Sequence, residues 1–289
     1  MSTFNSITDL HNLQFYTNLT SIISQTVYCF KSEQSMDHFK KYKGKNIKKN
    51  VDGLFDGLPL FSCELKRDSS YLLSLDSTNY TIYKYVIIPS DSRHPDKAIL
   101  EQRYLHNSKK YKLIDVNSEY NVTIYKVVYC EVVNKVAFLS LSKTKRSIVN
   151  FPFESLTMTF HIYHDYITIS KNSVFDQHQW IYRNNEGNVF VDGFYINDRY
   201  KLVNANGDVA AEFDNTKRSN KWITTTLREK IGDLKFPFIK NPPGYSTNEN
   251  VQNYENDYLV KFHEQVVCMV FVLINFRRAQ EKKRNNWSN

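Results

Sequence analysis

Glycine is scarce in this chain, cysteine is scattered, and no apolar run is long; each shortage removes a class of protein. Only eight of 289 residues are glycine, which argues against a glycine-rich phosphate loop or a repeat solenoid. The patterns GxGxxG, HExxH and GxSxG, and the phosphate-loop motif, do not occur, so the expectation is a protein without catalytic residues or cofactor. Cys29, Cys63, Cys130 and Cys268 contain no CxxC pair, and fit neither a disulfide framework nor a zinc site. Met1 to Asn18 is polar and lacks the apolar stretch of a secretory leader. A reduced, cytoplasmic protein is expected, peripheral at membranes, with a nuclear location as the alternative.

The longest uninterrupted apolar run is the nine residues Val266 to Ile274. As a helix it would rise about 13 Å, under half of a bilayer core of roughly 30 Å. No transmembrane span is therefore expected. A helix apolar on every side still has to be enclosed, and the interior of the protein is the remaining place. The Pro- and Gly-poor stretch 257–283 reads as that helix, with Cys268 inside it as a small hydrophobe.

The residues ahead of it read as strands. Tyr80 to Ile88 is β-branched and aromatic and is closed by Pro89, and Val122 to Tyr129 repeats the style. Leu156 to Ile169 has room for two strands meeting near His164 and Asp165. Ser90 to Lys97 reads as a loop, and 217–246, with Pro237 and Pro242-Pro243-Gly244, as a long basic loop. The pattern Asn-x-x-Gly-Asn/Asp-Val appears twice, at Asn184 to Val189 and at Asn204 to Val209. A glycine there permits the positive φ of a hairpin turn, so the segment reads as a meander. The expected fold is mostly β: an antiparallel barrel of about twelve strands enclosing a buried C-terminal helix, its edges removed by closure.

Charge points to the partner. The chain carries a formal +8, and its basic residues cluster. Lys40, Lys41, Lys43, Lys45, Lys48 and Lys49 place six lysines within ten residues. Such runs suit an anionic membrane face or nucleic acid, against the plainer reading of solvated loops. Tyr42 within this run and Tyr111 within Lys109 to Lys112 have the look of base-stacking aromatics, although core packing explains most other aromatics. His161 and His164, with Asp165 beside them, invite a metal or acid–base reading. Their spacing on one strand puts the rings on opposite faces, so no metal site is expected. His178 reads as a strand-end residue.

The run Tyr200-Lys201-Leu202-Val203-Asn204-Ala205-Asn206-Gly207-Asp208-Val209-Ala210, the aromatic-led Trp180 to Arg183 and the apolar helix ending in Arg277-Arg278 resemble the tubby C-terminal-like superfamily. That superfamily includes LURP-one-related and phospholipid-scramblase-like proteins, and small fungal members of unassigned function look closest. The resemblance covers roughly Tyr71 to Arg284, with its signal in the last hundred residues. It implies a twelve-stranded barrel around one helix, and binding of phosphoinositide head groups through basic surface residues. The scramblase-like calcium stretch is reduced here to Glu255 and Asp257, which argues against calcium.

The domain organisation that follows is residues 1–69 as an N-terminal extension or an early part of the barrel, 70–284 as the barrel, and 285–289 as a tail. The expected function is a non-enzymatic module binding anionic phospholipid or phosphoinositide head groups through Lys40 to Lys49. The alternatives are a nucleic-acid-binding protein or a protein-interaction scaffold. The oligomeric state is not legible in the sequence.

Overall fold

The computed structural model describes residues 12–18, 26–49, 55–65, 79–106, 110–136, 145–151, 156–162, 166–169, 178–183, 199–215, 219–223, 226–237 and 260–275. The first strands are β1 (Asn12–Asn18) and β2 (Thr26–Phe30), followed by helix α1 (Glu33–Tyr42) and the short pair β3 (Lys48–Lys49) and β4 (Phe55–Asp56). Strands β5 (Phe61–Leu65) and β6 (Asn79–Pro89) lead to α2 (Pro95–Leu100), which runs into the π-helical turn Glu101–His106. Then come β7 (Tyr111–Asn117), β8 (Val122–Val136), β9 (Lys145–Phe151), β10 (Leu156–Ile162) and β11 (Tyr166–Ile169). The last strands are β12 (Gln179–Arg183), β13 (Arg199–Val203), β14 (Val209–Asp214), β15 (Ser219–Ile223) and β16 (Thr226–Lys235). Helix α3 spans residues 260–275.

Twelve of these strands form one antiparallel ring in the order β1-β2-β5-β6-β8-β9-β10-β11-β12-β13-β14-β16, and β16 returns to β1. Closure pairs Leu13 with Leu234 and Phe15 with Gly232. Strands β7 and β15 branch off β8 and β16. The mostly β, closed-barrel expectation thus holds, and so does the enclosed helix. Along α3, Val266, Val267, Cys268, Met269, Val270 and Phe271 are each 0–1% exposed. Only a closed wall buries consecutive residues of a helix on every side. Phe15 meets Phe271 edge-on at 5.2 Å, and the Trp180 indole N–H donates to the Met269 sulfur at 3.4 Å. Each such large apolar side chain contributes roughly 1.5–3 kcal/mol by leaving water.

Within residues 1–69, strands β1, β2 and β5 are staves of the barrel, whereas α1 and the β3–β4 pair lie outside its wall. Two local expectations are corrected. Part of the segment 217–246 read as a loop is the β15–β16 hairpin, and β16 closes the barrel. A bulge puts Ile231 outside the ladder, between Lys230 opposite Tyr16 and Gly232 opposite Phe15, and this breaks the two-residue period. The loop read at Ser90 to Lys97 turns helical at Pro95, where proline occupies the first turn and His94 caps it by accepting the Asp96 N–H. The second Asn-x-x-Gly turn joins β13 to β14 with Gly207 at φ 85°. The first, at Asn184 to Val189, lies outside the described residues, as do the arginines Arg277 and Arg278.

Beyond the barrel rim, β6 and β8 continue as a two-faced projection with β7 on its flank. One face is covered by α2 and the π-helical turn, through Val86, Ile88, Val127 and Tyr104. The other is covered by the β3–β4 excursion, through Ile47, Phe55, Leu58 and Ile124.

Candidate functional site

The lysine run begins as a helix. Ser32, in extended conformation, caps α1 by accepting the Ser35 N–H at 3.1 Å. Glu33 lies in the first turn and Lys40 and Lys41 in the last, each complementing the helix dipole. The helix stops at Lys43, which takes a left-handed φ of 55° and donates its N–H to the Phe39 carbonyl. Buried Ser35 ties the helix down: its hydroxyl donates to the Leu58 carbonyl at 3.3 Å and accepts the Gly57 N–H at 3.1 Å. Gly57 has φ +94°, and a Cβ there would stand 2.3 Å from the His38 ring.

So anchored, α1 lies on the outer wall over β1 and β2. Alternation makes this possible, because Phe15 points into the barrel while Tyr16 packs outside with Phe30 and Met36. Phe39 sits 5.4 Å from Tyr28 and 5.7 Å from Phe30, ring centre to ring centre. Between helix and wall runs a shallow groove floored by these aromatics, with Lys40 and Lys43 on its rim. Burial raises the Tyr28 phenol above its ordinary value, and the Glu64 carboxylate adds to the effect.

The remaining lysines are exposed on the same excursion. Lys41 holds its ammonium 5.1 Å from the Tyr42 ring centre, and Lys49 lies 6.0 Å from that of Phe55. Lys45 and Lys48 are exposed, Lys48 beside Lys49 on β3. All six therefore sit on the α1–β3 excursion, but only two border the groove. Tyr42 is half-buried, 4.6 Å from the His38 ring, whereas Tyr111 is 55% exposed. The groove aromatics escaped the sequence reading. Ser32 followed by Glu33 signals a helix start, but Tyr16, Tyr28 and Phe39 come from three separate segments.

Inside the barrel a polar group lies beside α3. Lys84 of β6 forms an ion pair with Glu264, and Tyr104 accepts from Lys84 at 2.5 Å. Burial works against the Lys84 ammonium, yet Glu264 and Tyr104 outweigh it and hold its pKa above the usual value. Next to it, His263 is 1% exposed, and neither ring nitrogen has a hydrogen-bond partner among the described residues. Its ring meets Phe236 at 4.1 Å, and burial lowers its pKa to about 4, with Glu264 opposing.

All four cysteines are free and buried. Burial pushes the Cys29 and Cys268 thiols well up, so both stay protonated and unreactive. His161 lies on β10 opposite Thr168 and Arg146, while His164, Asp165, Glu255 and Asp257 fall outside the described residues. His178 packs 6.4 Å from the Phe262 ring. Among the described residues no group of three His, Cys, Asp or Glu side chains is placed to hold a metal ion. No described helix is long and apolar enough to cross a membrane.

The class is thus a closed antiparallel barrel threaded by an apolar helix, with a lysine-rimmed aromatic groove on its outer wall. Residues 18–285 match the family described as DIA1, and the chain belongs to that family. No curated protein and no solved structure matches it.

Proposed function

We propose that this protein is a non-enzymatic module of the cytoplasmic side that docks on anionic phospholipid surfaces, phosphoinositides included, as its tubby-like resemblance suggests. The observation that carries the reading is the coincidence of two features: the aromatic groove lies under α1, and Lys40 and Lys43 stand on its rim. A phospholipid has the same two parts, a phosphate that lysines attract and an apolar stem that aromatics accept. Lys41, Lys45, Lys48 and Lys49 extend the positive surface beside it. Each lysine held near an anionic leaflet is worth about 1 kcal/mol. The contact is therefore reversible and sensitive to salt.

Vesicle flotation tests this with neutral vesicles and with vesicles containing phosphatidylserine or a phosphoinositide. The native chain should float with the anionic vesicles at low salt. Lys40→Glu with Lys43→Glu should reduce binding by at least about tenfold, as the loss of roughly 2 kcal/mol or more requires. Phe39→Ala should weaken it while leaving the net charge unchanged. Equal flotation with neutral and anionic vesicles would remove the proposal. Retention of single-stranded oligonucleotides that Tyr42→Ala weakens tenfold would put nucleic acid in its place.

A further inference from the structure

Strand β7 has one neighbour, β8, and its other edge pairs with no strand among the described residues. Open edges present unpaired N–H and C=O groups, and proteins ordinarily blunt them with proline, inward charges or cover. Here Lys112 and a bulge are present, but no proline, and large apolar side chains still stand in solvent along the strand. Tyr111 is 55% exposed, Leu113 51% and Val116 60%, three of the five exposed large hydrophobics among the described residues.

Their placement follows from the register. Tyr111 pairs with Val127, Leu113 with Tyr125 and Val116 with Thr123, and the ladder slips between Leu113 and Asp115. Ile114 is the extra residue, so Val116 returns to the face of Tyr111 and Leu113 instead of the opposite one. Lys112 pairs with Lys126 and Asp115 with Ile124, both on the other face. With the bulge absorbed, the strand is symmetric about Leu113 in polarity and antisymmetric in charge: Tyr111 matches Val116, and Lys112 matches Asp115. Neither Lys112 nor Asp115 has an ion-pair partner among the described residues, and the cross-strand neighbour of Lys112 is a like charge.

We infer that β7 is a homodimer edge, pairing antiparallel with β7 of a second copy about a two-fold axis at Leu113. A two-fold contact has to be self-complementary, and this strand meets that condition in one register. Leu113 faces Leu113 of the second copy, Tyr111 faces Val116 twice, and each Lys112 faces an Asp115. The backbone edges satisfy each other by strand addition, and the two sheets become continuous across the axis. The excursion carrying the lysines packs on β7 through Ile114, but no β7 residue lines the lysine-rimmed groove, so dimerisation is read without lipid.

The test uses the full chain without lipid, by sedimentation equilibrium over about a hundredfold range of concentration, since a dimer obeys mass action. The native chain should pass from monomer to dimer. Lys112→Asp alone and Asp115→Lys alone should each weaken the dimer at least about tenfold, because like charges then face each other twice. The double swap Lys112→Asp/Asp115→Lys restores both pairs and should return dimerisation to within about threefold of native. An equimolar mixture of the two single variants should form a heterodimer. Lys112 is exposed and Asp115 half-buried, so a thermal melt of each variant separates these effects from unfolding. A native chain that stays monomeric overturns the inference, as does a double swap no better than the singles.

Discussion

Lys84 and Glu264 join the wall of the barrel to the helix inside it, with the Glu264 side chain 1% exposed and its second carboxylate oxygen unpartnered among the described residues. Removing one member of a buried pair strands the other, which costs about 3–5 kcal/mol. Glu264→Gln and Lys84→Met should each lower stability by that order in urea unfolding. Lys84→Met with Glu264→Met should cost less than the sum of the two, since neither charge is left alone. Strictly additive losses in the double-mutant cycle would show that the pair is not coupled.

His263 sets an acid limit. Its folded pKa is depressed to about 4 while the unfolded value is near 6.5. Between those values the unfolded chain binds more protons, so stability rises with pH. The contribution is complete above about pH 6.5 and is lost as pH falls towards 4, on the order of 3 kcal/mol in all. His263→Phe should flatten that part of the stability profile measured by thermal melting. A profile unchanged by the substitution would count against a buried neutral imidazole.

Gly232 is required by contact. A Cβ there would lie 2.6 Å from the Asp214 carbonyl oxygen and 2.9 Å from the Phe213 ring, where β14 meets β16. Gly232→Ala should cost about 1–3 kcal/mol through overpacking at the closure of the ring. Gly207→Ala, with φ +85° but open space around it, should cost about 1–2 kcal/mol from backbone strain alone. The melting temperatures of the two variants, compared directly, give the order.

What the sequence makes legible is whatever one segment encodes by itself. Val266 to Ile274 announces enclosure, β6 and β8 announce strands, and Asn204 to Asp208 announces a turn. Asn204 fulfils it by accepting the Asn206 and Asp208 N–H groups through its side-chain oxygen. Strand β16 is obscure because the bulge at Ile231 and the bare Gly232 interrupt its alternation. Helix α2 is obscure because Pro95 looks the same opening a helix as ending a loop. The six lysines are visible in the sequence, but the groove beneath two of them is assembled from β1, β2 and α1. No local pattern ties Tyr16 to Phe39 before the chain folds.

The pairing of β1 with β16 also sets a schedule. Leu13 waits for Leu234, a partner 221 residues later in synthesis, or roughly 11–44 s at ~5–20 residues per second. The helix that fills the interior is made later still, at residues 260–275. Until it arrives, Phe15 lacks Phe271 and Trp180 lacks the Met269 sulfur, so their inward faces stay open. The wall therefore finishes around its plug, so a chain halted before residue 260 would expose those faces, and with them a surface for chaperones.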